Sequence, residues 1–199
     1  MKRNVLCAGT VVLLSLAAHS SVFAVNGDMG GPSQDGSQEN PYLIEDVNDL
    51  DSFTSNKNYW DPNVYTKLMV DLDLGGQVRF AIAAYASYVS GSKQYKGNFD
   101  GNGYTISNFS IISGGEHLGF FGYIGQGGSV ANLSLKDYTL NSTADYTGGI
   151  CGGLEQGSIS DCNVVGNITG NYYVGGICGR SWEGTISSCS ISGDVGYEG

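Results

Sequence analysis

The sequence predicts an all-β chain: a parallel β-helix whose coils stack as a solenoid, led by an N-terminal cap with one short helix. Three observations carry that prediction. YTGGICGGLEQGSISDCNV from Tyr146 aligns with YVGGICGRSWEGTISSCSI from Tyr173, every offset being 27. Glycine supplies 32 of 199 residues and proline 3, about twice ordinary glycine usage, without the every-third-residue period of collagen. Each copy consists of short β-rich runs punctuated by glycine with no helical period, which excludes helical repeats.

Composition narrows the class further. The chain is 41% hydrophobic and 14% charged, with 13 Tyr and 7 Phe, which is too aromatic and too weakly charged for a disordered tail. Nineteen acids against nine bases give a net charge of −10, so there is no basic footprint for nucleic acid. The length suits one domain with a sizeable core.

Residues 1–24 read as a signal peptide. Lys2 and Arg3 precede an apolar run from Val5 to Ala18, and Val22-Phe23-Ala24 supplies a cleavage site. The run is short for a membrane span. Its removal takes two bases and no acid, leaving a net charge of −12 on an exported chain with no further span. Residues 25–40 are polar and glycine-containing and read as a flexible linker.

Residues 41–112 are expected to form the cap and the first strands. Ile44, Val47, Leu50 and Phe53 recur every three residues, with Asp46 placed to cap a short helix and Asp49 in its first turn. From Tyr65 the period becomes two: Leu68, Val70, Leu72 and Leu74 alternate with Met69, Asp71, Asp73 and Gly75, as in one strand. Residues 76–95 are irregular, with an apolar stretch at 78–86. A sharp turn is expected at Asp100-Gly101-Asn102-Gly103, whose residues tolerate positive φ.

Residues 113–199 are expected to be the repeat region. A looser copy, LGFFGYIGQGGSVANLSL, begins at Leu118. A propeller blade wants about 40 residues, whereas one β-helix coil fits 27. Coils spaced by about 4.8 Å bring equivalent positions into ladders. The interior slots then read Phe121/Cys151/Cys178, Val130/Ile159/Ile186, Leu133/Cys162/Cys189 and Leu135/Val164/Ile191. Gly122, Gly148, Gly149, Gly152, Gly175, Gly176 and Gly179 are expected at the corners, to permit the bends.

The GGICG…ISxC unit resembles the GLUG-motif repeat, and NPYLIEDVNDL, YWDPNVYTKLMVDLDL and YKGNFDGNGYTISNFSI resemble the segment ahead of such repeats in secreted bacterial proteins. The resemblance covers roughly residues 40–199. It implies a right-handed parallel β-helix used for binding or display on a large exported or surface protein. Some immunoglobulin-A-cleaving metallopeptidases carry such repeats ahead of their catalytic domain. Cysteine at 151 and 178, where valine is commoner, departs from the family pattern.

Candidates for chemistry are few. Cys151, Cys162, Cys178 and Cys189 remain after signal removal; they can pair within a coil, pair along a ladder, or stack as free thiols. A zinc site lacks a CxxC, and His117 is the one histidine outside the signal. Asp71 and Asp73 on a strand, with Asp100 and Asn102 on a turn, offer oxygens to calcium, yet turn chemistry accounts for the latter pair; no cofactor is expected. HExxH and GxSxG are absent, and the acids do not recur from coil to coil, so no catalytic set is expected. Trp182, Tyr172 and Tyr173 are expected to be exposed aromatics that contact a ligand, an extracellular protein or glycan. A further coil would begin at Gly199, so the sequence reads as part of a longer repeat protein, or as one whose open edge assembles edge to edge.

Overall fold

The computed structural model describes residues 29, 31, 34–84, 93–112 and 115–197. The expected signal at 1–24, residues 25–28, 30, 32 and 33 of the expected linker, and the last two residues of the apolar stretch at 78–86 lie outside the described residues.

The chain winds as a parallel β-solenoid. Its first strands are β1 (Tyr42–Ile44), β2 (Tyr65–Leu68), β3 (Leu72–Phe80), β4 (Asn98–Asp100) and β5 (Thr105–Ile112). The first copy of the repeat adds β6 (His117–Leu118), β7 (Phe121–Ile124), β8 (Ser129–Ala131) and β9 (Ser134–Asn141). The second adds β10 (Tyr146–Gly148), β11 (Cys151–Glu155), β12 (Ser158–Ser160) and β13 (Asn163–Gly170). The third adds β14 (Tyr173–Gly175), β15 (Cys178–Trp182), β16 (Thr185–Ser187), β17 (Ser190–Ser192) and β18 (Val195–Tyr197).

These strands stack into four parallel ladders: β1-β2-β4-β8-β12-β16, β6-β10-β14, β7-β11-β15 and β3-β5-β9-β13-β17, with β18 also on β13. A repeat coil therefore has four sides. Two of the ladders already run through residues 42–112, ahead of the recognisable repeat.

The register reproduces the interior columns. Ile82, Phe121, Cys151 and Cys178 align down one side. Phe99, Val130, Ile159 and Ile186 align down a second, and Leu72, Ile106, Leu135, Val164 and Ile191 down a third. Apolar side chains thus stack on one another along each column, which is why the pattern repeats. Phe53, Tyr95, Phe99 and Phe121 cluster at the cap end, with the Tyr95 and Phe121 centroids 4.7 Å apart. Fully burying each such ring contributes about 1.5–3 kcal/mol.

Helix α1 (Val47–Ser55) closes the cap, burying Leu50 and Phe53. Asp46 is its N-cap, accepting from the Asn48 and Asp49 amides at 2.7 and 3.0 Å, while Asp49 accepts from the Glu45 amide at 2.9 Å. A 3-10 turn at Lys57–Trp60 follows, and the Trp60 indole donates to the Phe53 carbonyl at 2.9 Å.

Three expectations need correction. Residues 34–40 do not run as a flexible linker: the Gly36 carbonyl accepts from the Tyr65 amide at 2.8 Å, and Gln34 Oε1 accepts from the Leu43 amide at 3.0 Å. The alternation from Leu68 to Leu74 is not one strand. The chain turns a corner at 69–71, where Asp71 accepts from the Thr105 amide at 2.7 Å, and this leaves Val70 exposed between two buried leucines.

The third concerns the bends. The turn from the β4 ladder into the β5 ladder is made by Asn102, Asn132, Asp161 and Ser188, one per coil, with φ of 54°, 55°, 53° and 52°. Gln156 and Glu183 make another, with φ of 48° and 52°. Short polar side chains tolerate this left-handed region better than most. Gly149 and Gly176 lie at the corners after β10 and β14, with Gly148 and Gly175 ending those strands, whereas Gly122, Gly152 and Gly179 lie inside β7, β11 and β15; these seven have ordinary φ and serve close approach. A Cβ on Gly148 would meet the Gly179 amide nitrogen at 2.6 Å, and one on Gly179 would meet the Thr147 amide nitrogen at 2.6 Å. Gly122, Gly149, Gly152 and Gly175 likewise face backbone, and Gly176 faces the Ile191 side chain.

Candidate functional site

The sharp corner at Gly148-Gly149-Ile150 folds the β10 ladder against the β11 ladder and brings their outer faces together. On the first face, His117, Tyr146 and Tyr173 occupy one register position. Their rings stack, His117 on Tyr146 at 4.6 Å and Tyr146 on Tyr173 at 5.1 Å, with planes 14° and 13° apart. The coil spacing imposes that separation, so ring stacking follows from putting aromatics in one column.

On the second face, Tyr123, Gly153 and Arg180 occupy one register position. The Tyr123 ring lies across Gly153 and meets His117 edge-on at 4.8 Å. A Cβ on Gly153 would come within 2.7 Å of the His117 ring, so glycine is what lets both rings close down there. Tyr123 donates its hydroxyl to Glu155 Oε2 at 3.2 Å, and Gln94 donates to the same oxygen at 3.2 Å.

Arg180 sits over the Tyr146 ring at 5.4 Å, and its Nη1 donates to the Tyr146 hydroxyl oxygen at 3.4 Å. Among the described residues the ion pairs are Lys67–Asp100, Arg79–Asp51, Lys93–Asp61 and Lys136–Asp137, so Arg180 has no carboxylate partner. Trp182 pairs in register with Glu155 and is 58% exposed. His117, Tyr123, Gly153, Leu154, Glu155, Arg180 and Trp182 line a groove of about 160 Å³. It offers an indole face, a guanidinium and a held carboxylate: the means to bind.

Of the aromatics singled out in sequence, Trp182 lines this groove, Tyr173 ends the ring column, and Tyr172 is exposed beside it. His117, Tyr123, Tyr146 and Arg180 were not legible as site residues. The available signal was the repeat's opening tyrosine, present at both 146 and 173.

The cysteines form a separate, interior feature. All four are free thiols in two ladders, Cys151 with its register partner Cys178 and Cys162 one coil from Cys189. Burial pushes Cys151 well above the ordinary thiol range and Cys162 up to about 12. A hydrogen bond from the Cys151 thiol lowers Cys178. Cys162 and Cys189 donate to the Ser160 and Ser187 carbonyls at 3.2 and 3.1 Å. These thiols pack as small apolar side chains.

The acids considered for calcium serve the backbone. Asp73 accepts from the Gly75 amide at 2.8 Å and Asp100 from the Asn102 amide at 2.8 Å. No group of three or more His, Cys, Asp or Glu among the described residues could hold a metal ion. No helix among them is long and apolar enough to cross a membrane.

Two coils of this solenoid match a family model. Residues 143–169 and 170–196 match the GLUG motif. The chain carries GLUG repeats. A Gly-rich membrane protein of Evansella cellulosilytica is 35% identical over 149 residues, 74% of this chain and 16% of that protein. Halomucin of Haloquadratum walsbyi is 29% identical over 143 residues, 68% of this chain and 2% of that protein. The chain thus spans a small part of these relatives. A solved structure bearing the name of an immunoglobulin A1 protease, from Bacteroides ovatus, superposes with a TM-score of 0.55 at 19% identity. It covers 82% of this chain and 60% of that one, and shows the fold alone.

Proposed function

We propose that the chain is an exported, non-enzymatic binding module for the cell surface or the extracellular space, and that its GLUG coils present the aromatic groove to a ligand there. One observation carries this reading. The groove assembles an exposed indole, an arginine without a carboxylate partner and a held glutamate from two coils, a set of groups suited to holding a ligand. The signal-like residues 1–24 and the names of the relatives, a membrane protein and halomucin, agree with a place outside the cytoplasm.

The test has two arms. Expressed in a bacterial host, the full chain is expected outside the cytoplasm with residues 1–24 removed; retention in the cytoplasm with an intact N-terminus overturns the export half. Soluble chain is expected to bind whole cells or their extracellular matrix, and Trp182→Ala with Arg180→Gln to abolish this. Undiminished binding by that double variant overturns the site. The name of the solved structure supports a second reading, an accessory domain of a secreted hydrolase. A hydrolase domain in the same reading frame would favour it.

A further inference from the structure

The proposal that follows rests on the binding reading above and names the ligand class. We propose that the groove between Tyr123, Glu155, Arg180 and Trp182 takes one carboxylate-bearing sugar, a uronate unit of an acidic glycan, with its ring on the Trp182 indole and its carboxylate on the Arg180 guanidinium.

Arg180 is the first argument. In a chain of 19 acids and nine bases it stands without a carboxylate partner, although Glu155 lines the same groove. The face of Tyr146 and the Tyr146 hydroxyl engage the guanidinium on one side and hold it in place. The side chain is exposed, and a guanidinium fixed in this way pairs best with a planar, two-oxygen anion.

Trp182 is the second. The register equivalent of Trp182 one coil earlier is Glu155, so the solenoid does not require a ring there. Its exposed indole is a flat apolar face of the kind on which the C–H face of a sugar stacks.

Glu155 supplies the third. Tyr123 and Gln94 both donate to its Oε2 and fix its orientation, which leaves Oε1 to accept from hydroxyl groups. An acceptor, an arginine and a ring face around one small space match a ring that carries hydroxyls and a carboxylate. The groove is about 160 Å³, well below the 300–1,000 Å³ of sites for drug-sized ligands, so it holds one sugar at a time. A neutral sugar would leave Arg180 unpaired.

The mature chain is titrated calorimetrically with trigalacturonate, with neutral galactotriose, with a sulfated galactose oligomer and with a glutamate-rich peptide. Saturable binding of trigalacturonate is expected, at least tenfold tighter than galactotriose and than the sulfated oligomer. Arg180→Gln is expected to remove that preference and Trp182→Ala to weaken both sugars at least tenfold. Each variant should keep the parent's unfolding midpoint, since both side chains are exposed. Equal affinity for charged and neutral sugars, tighter binding of the sulfated oligomer, or an unaltered preference in Arg180→Gln would overturn the carboxylate assignment. Binding of the peptide without any uronate would overturn the sugar and leave the binding reading standing. Cell binding that survives the double variant would overturn the groove as the site, and no cell binding by the parent chain would remove the broader reading.

Discussion

The coil from Tyr146 to Gly170 and the coil from Tyr173 to Tyr197 share a sequence pattern and differ in surroundings. Ile159 and Val164 are fully buried, whereas their register partners Ile186 and Ile191 are 42% and 38% exposed. Cys151 is buried and Cys178 half-buried. The earlier coil has a neighbour on both sides, and the later coil has one on one side only among the described residues. A repeat therefore encodes which slots point inward, while the stabilisation of each slot comes from the coils above and below. Identical letters contribute unequally.

The glycines give the largest test of this difference. A Cβ on Gly152 would meet the Leu118 amide nitrogen and, at 2.6 Å, the His117 carbonyl carbon, whereas one on Gly196 has nothing within 4 Å. Gly152→Val forces two backbones apart and is expected to cost at least about 4 kcal/mol or to prevent folding. Gly196→Ala is expected to be within about 0.5 kcal/mol of the parent. Urea unfolding measures both, and comparable losses would refute the backbone-contact account.

The thiols sharpen the comparison through their acidity. Cys162 is held at about 12 by burial, so at pH 8 only on the order of one molecule in 10⁴ carries the reactive thiolate. Cys178 is lowered by its hydrogen bond from Cys151, and its thiolate forms at a lower pH than an ordinary thiol's. Raising the pH from 6 to 9 is expected to turn on iodoacetamide labelling at Cys178 first, with Cys151 and Cys162 unlabelled until the chain unfolds. Peptide mass mapping reads the order. Simultaneous labelling of Cys162 and Cys178 in the folded chain would contradict it.

The same comparison shows what was legible in sequence. The columns through Phe121, Val130 and Leu135 could be read because spacing alone assigns residues to a ladder once the coil length is known. Val70 was misread because a corner and a strand share the same two-residue alternation until something turns the chain, here the Asp71 carboxylate on a strand 34 residues later. The turn at Asn102 was legible because Asp-Gly and Asn-Gly flag it, whereas its equivalents Asn132, Asp161 and Ser188 look like freely varying outward positions. The groove was hidden for a different reason. Arg180 and Tyr146 are 34 residues apart and meet only because neighbouring coils place them on facing sides of one corner.

The interior isoleucines offer the smallest effect and the most direct comparison. Ile159 and Ile186 are register partners in one column, flanked by serine or threonine on each side, so propensity and strand position are matched. Ile159→Ala removes a fully buried side chain between Val130 and Ile186 and leaves a cavity, at an expected cost of about 2–5 kcal/mol. Ile186→Ala removes a side chain already in contact with water and opens no enclosed cavity, so about 1 kcal/mol or less is expected. Chemical unfolding of the two variants at matched protein concentration gives the difference. Equal costs would mean that burial in this column is set by the local strand rather than by stacking, and a rising Ile186→Ala cost at higher concentration would show that face covered by a second copy of the chain.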